Sequence, residues 1–311
     1  MSRVVVREGF GGPEVLRVRH VPEPHAGRGE IRISVHAAGL NPLDWQLAAM
    51  PALAGRFGLG ARAGFGSDLA GVVDEVGPGA EHAGFRVGDR VYGGLMGRAV
   101  ADAVVVAVPV AAPNLLRLIP DGVDEDSAAA LPTPGLTAVA AVDAVAPRAS
   151  DTILVGGAAG GVGVLAVQLA RLSGATVIGT SSEATFPFLQ RLGALPIAYG
   201  PGLSDRVRAL GPHRVTAAID VHGVEAAEAA LELGVDPRRV VTVAAGARLP
   251  TVQSTGAHAA GPDALQRIEA AILDGHIAVP IAERFPIESI QDAVAMQAAG
   301  HAHGKILIAF P

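Results

Sequence analysis

Thr152 to Arg171 reads TILVGGAAGGVGVLAVQLAR, and the fold turns on this stretch. The β-branched run Thr152-Ile153-Leu154-Val155 is a buried strand. Glycines at 156, 157, 160, 161 and 163 then break any regular element. From Val162 onward Leu165, Val167, Leu169 and Leu172, among Ala and Gln, suit a helix packed on a sheet. Strand, tight glycine turn and helix is the layout that carries a dinucleotide pyrophosphate onto a helix N-terminus. Unpaired N–H groups and the positive dipole end favour an anion there. Gly160 and Gly163 let the backbone approach the phosphates and the helix sit close to its strand. The run Thr152 to Ala170 carries no charge and is long enough to cross a bilayer. Five glycines, Gln168 and a break in mid-segment argue against a spanning helix. Ala158 stands where the first glycine of the fingerprint usually falls, so the surroundings must support the assignment.

They do. Thr176–Thr180, Ile197–Tyr199, Thr216–Asp220 and Arg239–Val243 read as strands. Phe186–Leu192, Leu203–Leu210 and Val224–Leu233 read as helices between them. Such alternation means right-handed crossovers and a parallel sheet with helices on both faces. Beyond Pro250 the rhythm weakens: Leu265, Ile268 and Ile272 line one helical face, Ile290–Ala298 forms another helix, and Ile306–Phe310 is a last strand. Before the glycine turn, Val4–Val6, Val15–Val18, Ile31–Ala37, Val72–Val76, Arg90–Tyr92 and Val104–Val108 are short strands between Gly and Pro punctuation. They predict an antiparallel, barrel-like domain. The segment from Leu47 to Gly66, with Arg56, Phe57, Arg62 and Phe65, reads as a loop, either a pocket rim or plain surface. Asp124 or Asp126 caps a helix through Ser127–Ala130. Pro132 and Pro134 then interrupt before Leu136–Ala144 resumes.

The chain has 311 residues, enough for two domains with buried cores. Half the residues are hydrophobic and 17% charged, the balance of a compact protein. A net charge of -6 leaves no basic footprint for nucleic acid. With no cysteine, disulfides and thiolate metal sites are excluded. The opening MSRVVVREGF lacks a secretory pattern, so a cytoplasmic protein is expected. Lys305 is the single lysine, a scarcity that reads as compositional bias without mechanistic weight.

Six segments in order carry a family resemblance: AAGLNPLDW (Ala37–Trp45), GSDLAGVVDEVGPG (Gly66–Gly79), FRVGDRVYG (Phe85–Gly93), LPTPGLTA (Leu131–Ala138), GGAAGGVG (Gly156–Gly163) and HGKILI (His303–Ile308). The chain resembles the medium-chain dehydrogenases/reductases of the zinc-free quinone-oxidoreductase (zeta-crystallin-like) type nearly end to end. The resemblance implies an α/β protein: a GroES-like β-rich catalytic domain, a doubly wound Rossmann domain, and a chain end returning to the first. The expected boundaries are 1–118, 119–258 and 259–311. It implies a homodimer joined through a Rossmann edge strand near Val240–Val243, with no membrane or nucleic-acid partner. It places Asn41, Thr133, Thr137, Gly157, Ala159, Gly160, Gly161, Val162, Gly163, Thr180, Ser181, Ser182, Tyr199, Ala244, Ala245 and Gly246 against the cofactor. Asn41, Asp44 and Trp45 are the candidates for the reacting end. Asn41 equally suits a turn before Pro42, Asp44 a helix cap and Trp45 simple packing. Tyr92 ranks as structural.

Zinc-using relatives place a Cys where Asn41 stands, a His where Ser67 stands and a third ligand near Ala130. A catalytic zinc needs about three good protein ligands, and an amide, a hydroxyl and a methyl do not supply them. His301 and His303 form the only close histidine pair and read as solvated, so no metal is expected. Without a Lewis acid, a simple ketone would concentrate charge on one oxygen. A quinone or an enone spreads that charge, and a few hydrogen-bond donors suffice.

The cofactor has a local signature. About 20 residues after the glycine turn, NAD-preferring domains place an acid on the ribose 2′-hydroxyl. Here that strand ends Gly179-Thr180-Ser181-Ser182, whose hydroxyls donate to a 2′-phosphate. By resemblance Tyr199 lies beside that phosphate. NADPH is therefore expected, although Glu183 follows directly and the lysine of some relatives is absent; Arg191 is either its substitute or a solvated helix residue. The expected reaction is hydride transfer to a quinone or α,β-unsaturated carbonyl. The rivals are an enoyl-thioester reductase of lipid or polyketide assembly and an NADPH-binding redox sensor without turnover.

Overall fold

The computed structural model describes residues 1–211, 213–244, 248–300 and 302–311. The chain forms two compact units, one from Met1–Thr133 with Ile281–Pro311, the other from Pro134–Pro280. In chain order the first segment contains β1 (Ser2–Glu8), β2 (Leu16–Val21), β3 (Glu30–Gly39), α1 (Pro42–Ala49), α2 (Pro51–Arg56), β4 (Arg62–Gly64), β5 (Asp68–Val76), β6 (Arg90–Gly94), β7 (Ala103–Ala107), β8 (Leu115–Leu118) and α3 (Glu125–Ala129). α4 (Pro132–Val145) follows. Next come β9 (Thr152–Gly156), α5 (Gly161–Leu172), β10 (Thr176–Ser181), α6 (Phe186–Arg191), β11 (Leu195–Ala198), α7 (Leu203–Ala209), β12 (Ala217–Asp220), α8 (Glu225–Glu232), β13 (Val240–Thr242), β14 (Gln253–Ser254) and α9 (Ala264–Leu273). The last segment adds β15 (Ile281–Pro286), α10 (Ile290–Ala298) and β16 (Lys305–Ala309).

The first unit is the GroES-like one. β3 is its centre, pairing antiparallel with β5, β7 and the returning β16. Along β3 every second side chain is buried, the period of a strand with one face on a core. Ile31, Ile33 and Val35 there meet Leu69, Val73 and Val91 from neighbouring strands and Ile290 and Val294 from α10. A small sheet β2-β1-β4 completes the unit. The second unit is the Rossmann one, a parallel sheet of order β11-β10-β9-β12-β13-β14, so β13 lies between β12 and β14 and is not the edge strand expected near Val240–Val243. β9 is buried along its whole length, as in a sheet covered on both faces. This explains why its sequence reads as an unbroken apolar run and not as an alternation.

Several expectations are corrected. The units divide at Thr133/Pro134 and Pro280/Ile281, not at 118/119 and 258/259. α3 packs on β3, β5 and β6 of the first unit. α9 belongs to the second, tied by Arg267 to Asp143 of α4. The expected loop 47–66 carries part of α1, all of α2 and β4, and its Phe65 is 3% exposed in the core. Pro132 and Pro134 do not interrupt a helix but begin α4, since the first turn lacks intrahelical N–H bonds for proline to lose.

Candidate functional site

The glycine turn of the second unit is shaped by close approach. Gly157 takes φ +68°, and its N–H donates to Thr180 Oγ1 at 3.1 Å. A Cβ on Gly163 would stand 2.1 Å from the Gly157 carbonyl oxygen, so only glycine lets α5 start so near β9. Gly160 is different: a Cβ there meets nothing nearer than that same oxygen at 3.5 Å. Gly160 caps α5 without any side-chain hydrogen bond, and the first internal bond runs from Val164 N–H to Gly160 C=O. The N–H groups of Gly161, Val162 and Gly163 thus have no intrahelical acceptor. Gly157, Ala159, Gly160, Gly161 and Val162 are half-buried, so their backbone stays reachable. An open cradle at the N-terminus of a long helix suits a pyrophosphate, and the residues fit the nucleotide cofactor.

Thr180 is buried and works within the fold, accepting from Gly157 and holding the turn. Ser181 is buried too, donating to the Ser182 carbonyl at 3.1 Å. The Ser182 and Thr185 hydroxyls are hydrogen-bonded at 2.8 Å. The Tyr199 N–H reaches the Ser181 carbonyl at 3.4 Å, while its side chain is 55% exposed. Arg206 ties the Ala198, Gly200 and Pro201 carbonyls and so fixes the loop carrying Tyr199. Arg191 is exposed with its guanidinium over the Phe188 ring. Thr137 is buried and Ala244 exposed. Ala245, Gly246 and His301 lie outside the described residues.

Sequence reasoning missed Asp220. Its carboxylate ends β12 buried and accepts from four backbone N–H groups, those of His222, Gly223, Ala226 and Ala227. It therefore ties the strand end to the start of α8. An Asp closing a strand just before a helical segment was the available signal.

The first unit holds a buried polar cluster where β3 ends and α1, β5, α4 and β16 begin. Asp68 is fully buried and accepts from Asn41 Nδ2 at 2.8 Å, Thr133 Oγ1 at 2.6 Å, Thr133 N–H and Lys305 Nζ at 3.3 Å. Lys305 also donates to Asn41 Oδ1 at 2.6 Å. Asp44 accepts from the Asn41 N–H and the Ser67 hydroxyl, both at 2.7 Å, and the same hydroxyl lies 3.4 Å from Met96 Sδ. Burial pushes the Asp44 carboxyl up to about 7; Asp68 adds to the rise, while the Ser67 and Asn41 hydrogen bonds and Lys305 oppose it. Burial lowers the Lys305 ammonium, and Asp68 and Asp44 oppose that.

Asn41 and Asp44 thus lie together, with Asp44 at once capping α1 and bracing the Asn41 loop. The Asn41 amide is 3% exposed, and both its ends are already hydrogen-bonded inward. Trp45 is half-buried against the core, with its indole N–H unpartnered among the described residues. Tyr92 is fully buried. Lysine 305, set aside in the sequence as compositional bias, sits at the centre of the cluster. Its place was foreshadowed only by HGKILI entering an apolar strand, where a lone ammonium needs buried acids.

The donor set does not fit zinc. The Asn41 oxygen already accepts from an ammonium, the Ser67 hydroxyl is given to Asp44, and Ala130 offers no donor. No three His, Cys, Asp or Glu side chains among the described residues are grouped to hold a metal.

Residues 27–114 match the alcohol dehydrogenase GroES-like domain, and 192–308 the zinc-binding dehydrogenase family. Over 189 residues the chain is 36% identical to a quinone oxidoreductase of Pseudomonas aeruginosa, covering 59% of this chain and 54% of that protein. Over 192 residues it is 38% identical to the spectinabilin polyketide synthase system protein NorB of Streptomyces orinoci, covering 61% of this chain and 8% of that one. The chain thus spans about half the length of the curated oxidoreductase and a small part of the synthase. The solved quinone oxidoreductase of Coxiella burnetii superposes with a TM-score of 0.84 at 26% identity, over 100% of this chain and 99% of that one. A mycobacterial structure complexed with NADPH gives 0.85 at 26% identity over 100% of both chains. The chain thus carries an alcohol dehydrogenase GroES-like domain and a zinc-binding dehydrogenase domain, and over its whole length it is similar to a solved quinone oxidoreductase.

Proposed function

We propose that the chain is an NADPH-dependent oxidoreductase that reduces a quinone or an α,β-unsaturated carbonyl without zinc. The observation that carries this reading is the Lys305 ammonium at 2.6 Å from Asn41, a fixed cation among polar groups already hydrogen-bonded to one another. Bound NADPH would supply the hydride. The protein's part is to hold the reactants and donate hydrogen bonds, each contributing about 2–4 kcal/mol at the transition state. Such donors suffice when charge spreads over a conjugated acceptor. Asn41, Thr133 and Thr137 serve the nicotinamide half, with Ala244, Ala245 and Gly246 at the carboxamide. The backbone of Gly157, Ala159, Gly160, Gly161, Val162 and Gly163 cradles the pyrophosphate. Thr180, Ser181, Ser182 and Tyr199 take the 2′-phosphate end, a choice supported by the hydroxyls that end β10 and by the relative solved with NADPH. Asp44 braces the Asn41 loop and Trp45 walls the pocket. Cytoplasmic location and a homodimer are part of the same reading.

A second reading, an enoyl-thioester reductase, is favoured by the 38% identity to a polyketide synthase segment. One assay separates them: loss of NADPH and, in parallel, NADH absorbance with a simple quinone, an enone and a crotonyl thioester. Fastest turnover of the thioester would replace the quinone reading. NADPH binding without turnover of any acceptor would leave a redox sensor, and an outright preference for NADH would overturn the cofactor assignment.

A further inference from the structure

Lys305 is the one lysine of the chain and is 4% exposed; its partner Asp68 is fully buried. A buried ion pair is often no better for stability than apolar side chains of the same size, so stability alone does not account for it. Its geometry does more than neutralise charge. The lysine passes over Gly39, where a Cβ would come within 2.8 Å of Lys305 Cε and 2.3 Å of the Ala129 carbonyl. Its ammonium then takes the Asn41 oxygen, which leaves the Asn41 nitrogen for Asp68. An amide so held cannot flip, because either end would then face a group of its own kind. Asp68 in turn takes both the N–H and hydroxyl of Thr133. One cation thereby sets the orientation of two side chains at the ends of separate elements.

We propose that Lys305 and Asp68 form a positioning pair for the reduction, fixing the Asn41 amide and Thr133 in one orientation and setting the charge felt by Asp44. This rests on the proposed function in that Asn41 and Thr133 serve the reacting end. The groups facing Asp44 are Ser67, the Asn41 N–H, Asp68 and Lys305, with Arg7 of β1 lining the same small cavity. Those facing Lys305 are Asn41, Asp68 and Asp44.

The test compares Lys305→Met, Asp68→Asn and the double variant Lys305→Met/Asp68→Asn with the parent. The single variants each strand a buried partner and lose thermal stability. The double variant leaves no unpaired charge and regains it. Under the proposal its kcat for quinone or enone stays down by about 100-fold, the scale of a misplaced reacting group, with NADPH affinity little changed. A double variant with restored stability and kcat within about threefold of the parent would overturn the pair's role. A second readout needs no turnover: the Asp44 midpoint, followed by its infrared carboxyl band. Loss of Lys305 should move that midpoint up and loss of Asp68 should move it down. If the parent reduces no acceptor, the functional reading fails by itself. The pair's influence on Asp44 is then judged on these opposite shifts, and midpoints that stay put in both single variants would overturn it.

Discussion

Ser182 follows β10 with a hydroxyl and no charge, hydrogen-bonded to Thr185. A carboxylate placed there, about 5 Å from a 2′-phosphate, costs roughly 3 kcal/mol per charge pair at an effective dielectric near 20. Ser182→Asp is therefore expected to lower the NADPH/NADH preference by about 100-fold or more, measured as the ratio of kcat/KM values; an unchanged ratio would remove Ser182 from the phosphate site. Asp44 makes a pH prediction. Its buried carboxyl keeps a proton up to about 7, whereas an unfolded aspartate loses it near about 4. Between those values the folded chain binds more protons, so this group's contribution to stability is full below about 4 and is lost as the pH rises through about 7. Asp44→Asn should abolish that decline in urea unfolding across the window. The same slope in the variant would mean that another group titrates.

At the scale of elements, the glycines of the turn divide by what a methyl group would meet. Gly163→Ala puts a Cβ 2.1 Å from the Gly157 oxygen and should cost about 1–3 kcal/mol of stability by overpacking the contact between strand and helix. Gly160→Ala meets only an oxygen at 3.5 Å and φ is already negative, so stability should hold while NADPH binding weakens. Calorimetry with thermal melts distinguishes the two; equal stability losses would show that Gly160 also packs. The elements themselves were largely legible. The alternation after Thr152 gave β9 to β13 and their helices within a residue or two, because each crossover buries a periodic face. β4, β8, β14 and β15 carried no such signal: they are short or half-exposed strands on sheet margins, where pairing partners and not composition define them.

For the whole molecule, the first unit closes only when the end of the chain returns. β16 pairs with β3, and Ile287, Ile290, Ile306 and Ile308 join its core. A chain ending at Pro280 should therefore lose the first unit while the second keeps its parallel sheet. Trp45, the only tryptophan, packs on the first unit's core and reports it. Its emission in the shortened chain is expected to match that of the unfolded protein, with helical circular dichroism partly retained. A native emission spectrum would mean that the core does not need the returning strand.

The sequence by itself determined what local chemistry dictates: the strand, glycine turn and helix of the nucleotide cradle, and the hydroxyls after it. The family resemblance of the segment Ala37–Trp45 singled out Asn41 and Asp44, and the capping box they form follows from a turn residue and a capping acid three positions apart. Only the tertiary structure joined Lys305 to Asn41 and Asp68, residues 264 and 237 positions away in the chain. Neither spacing nor composition records such a meeting, because burial and partner choice for a charge are settled when distant strands close one core.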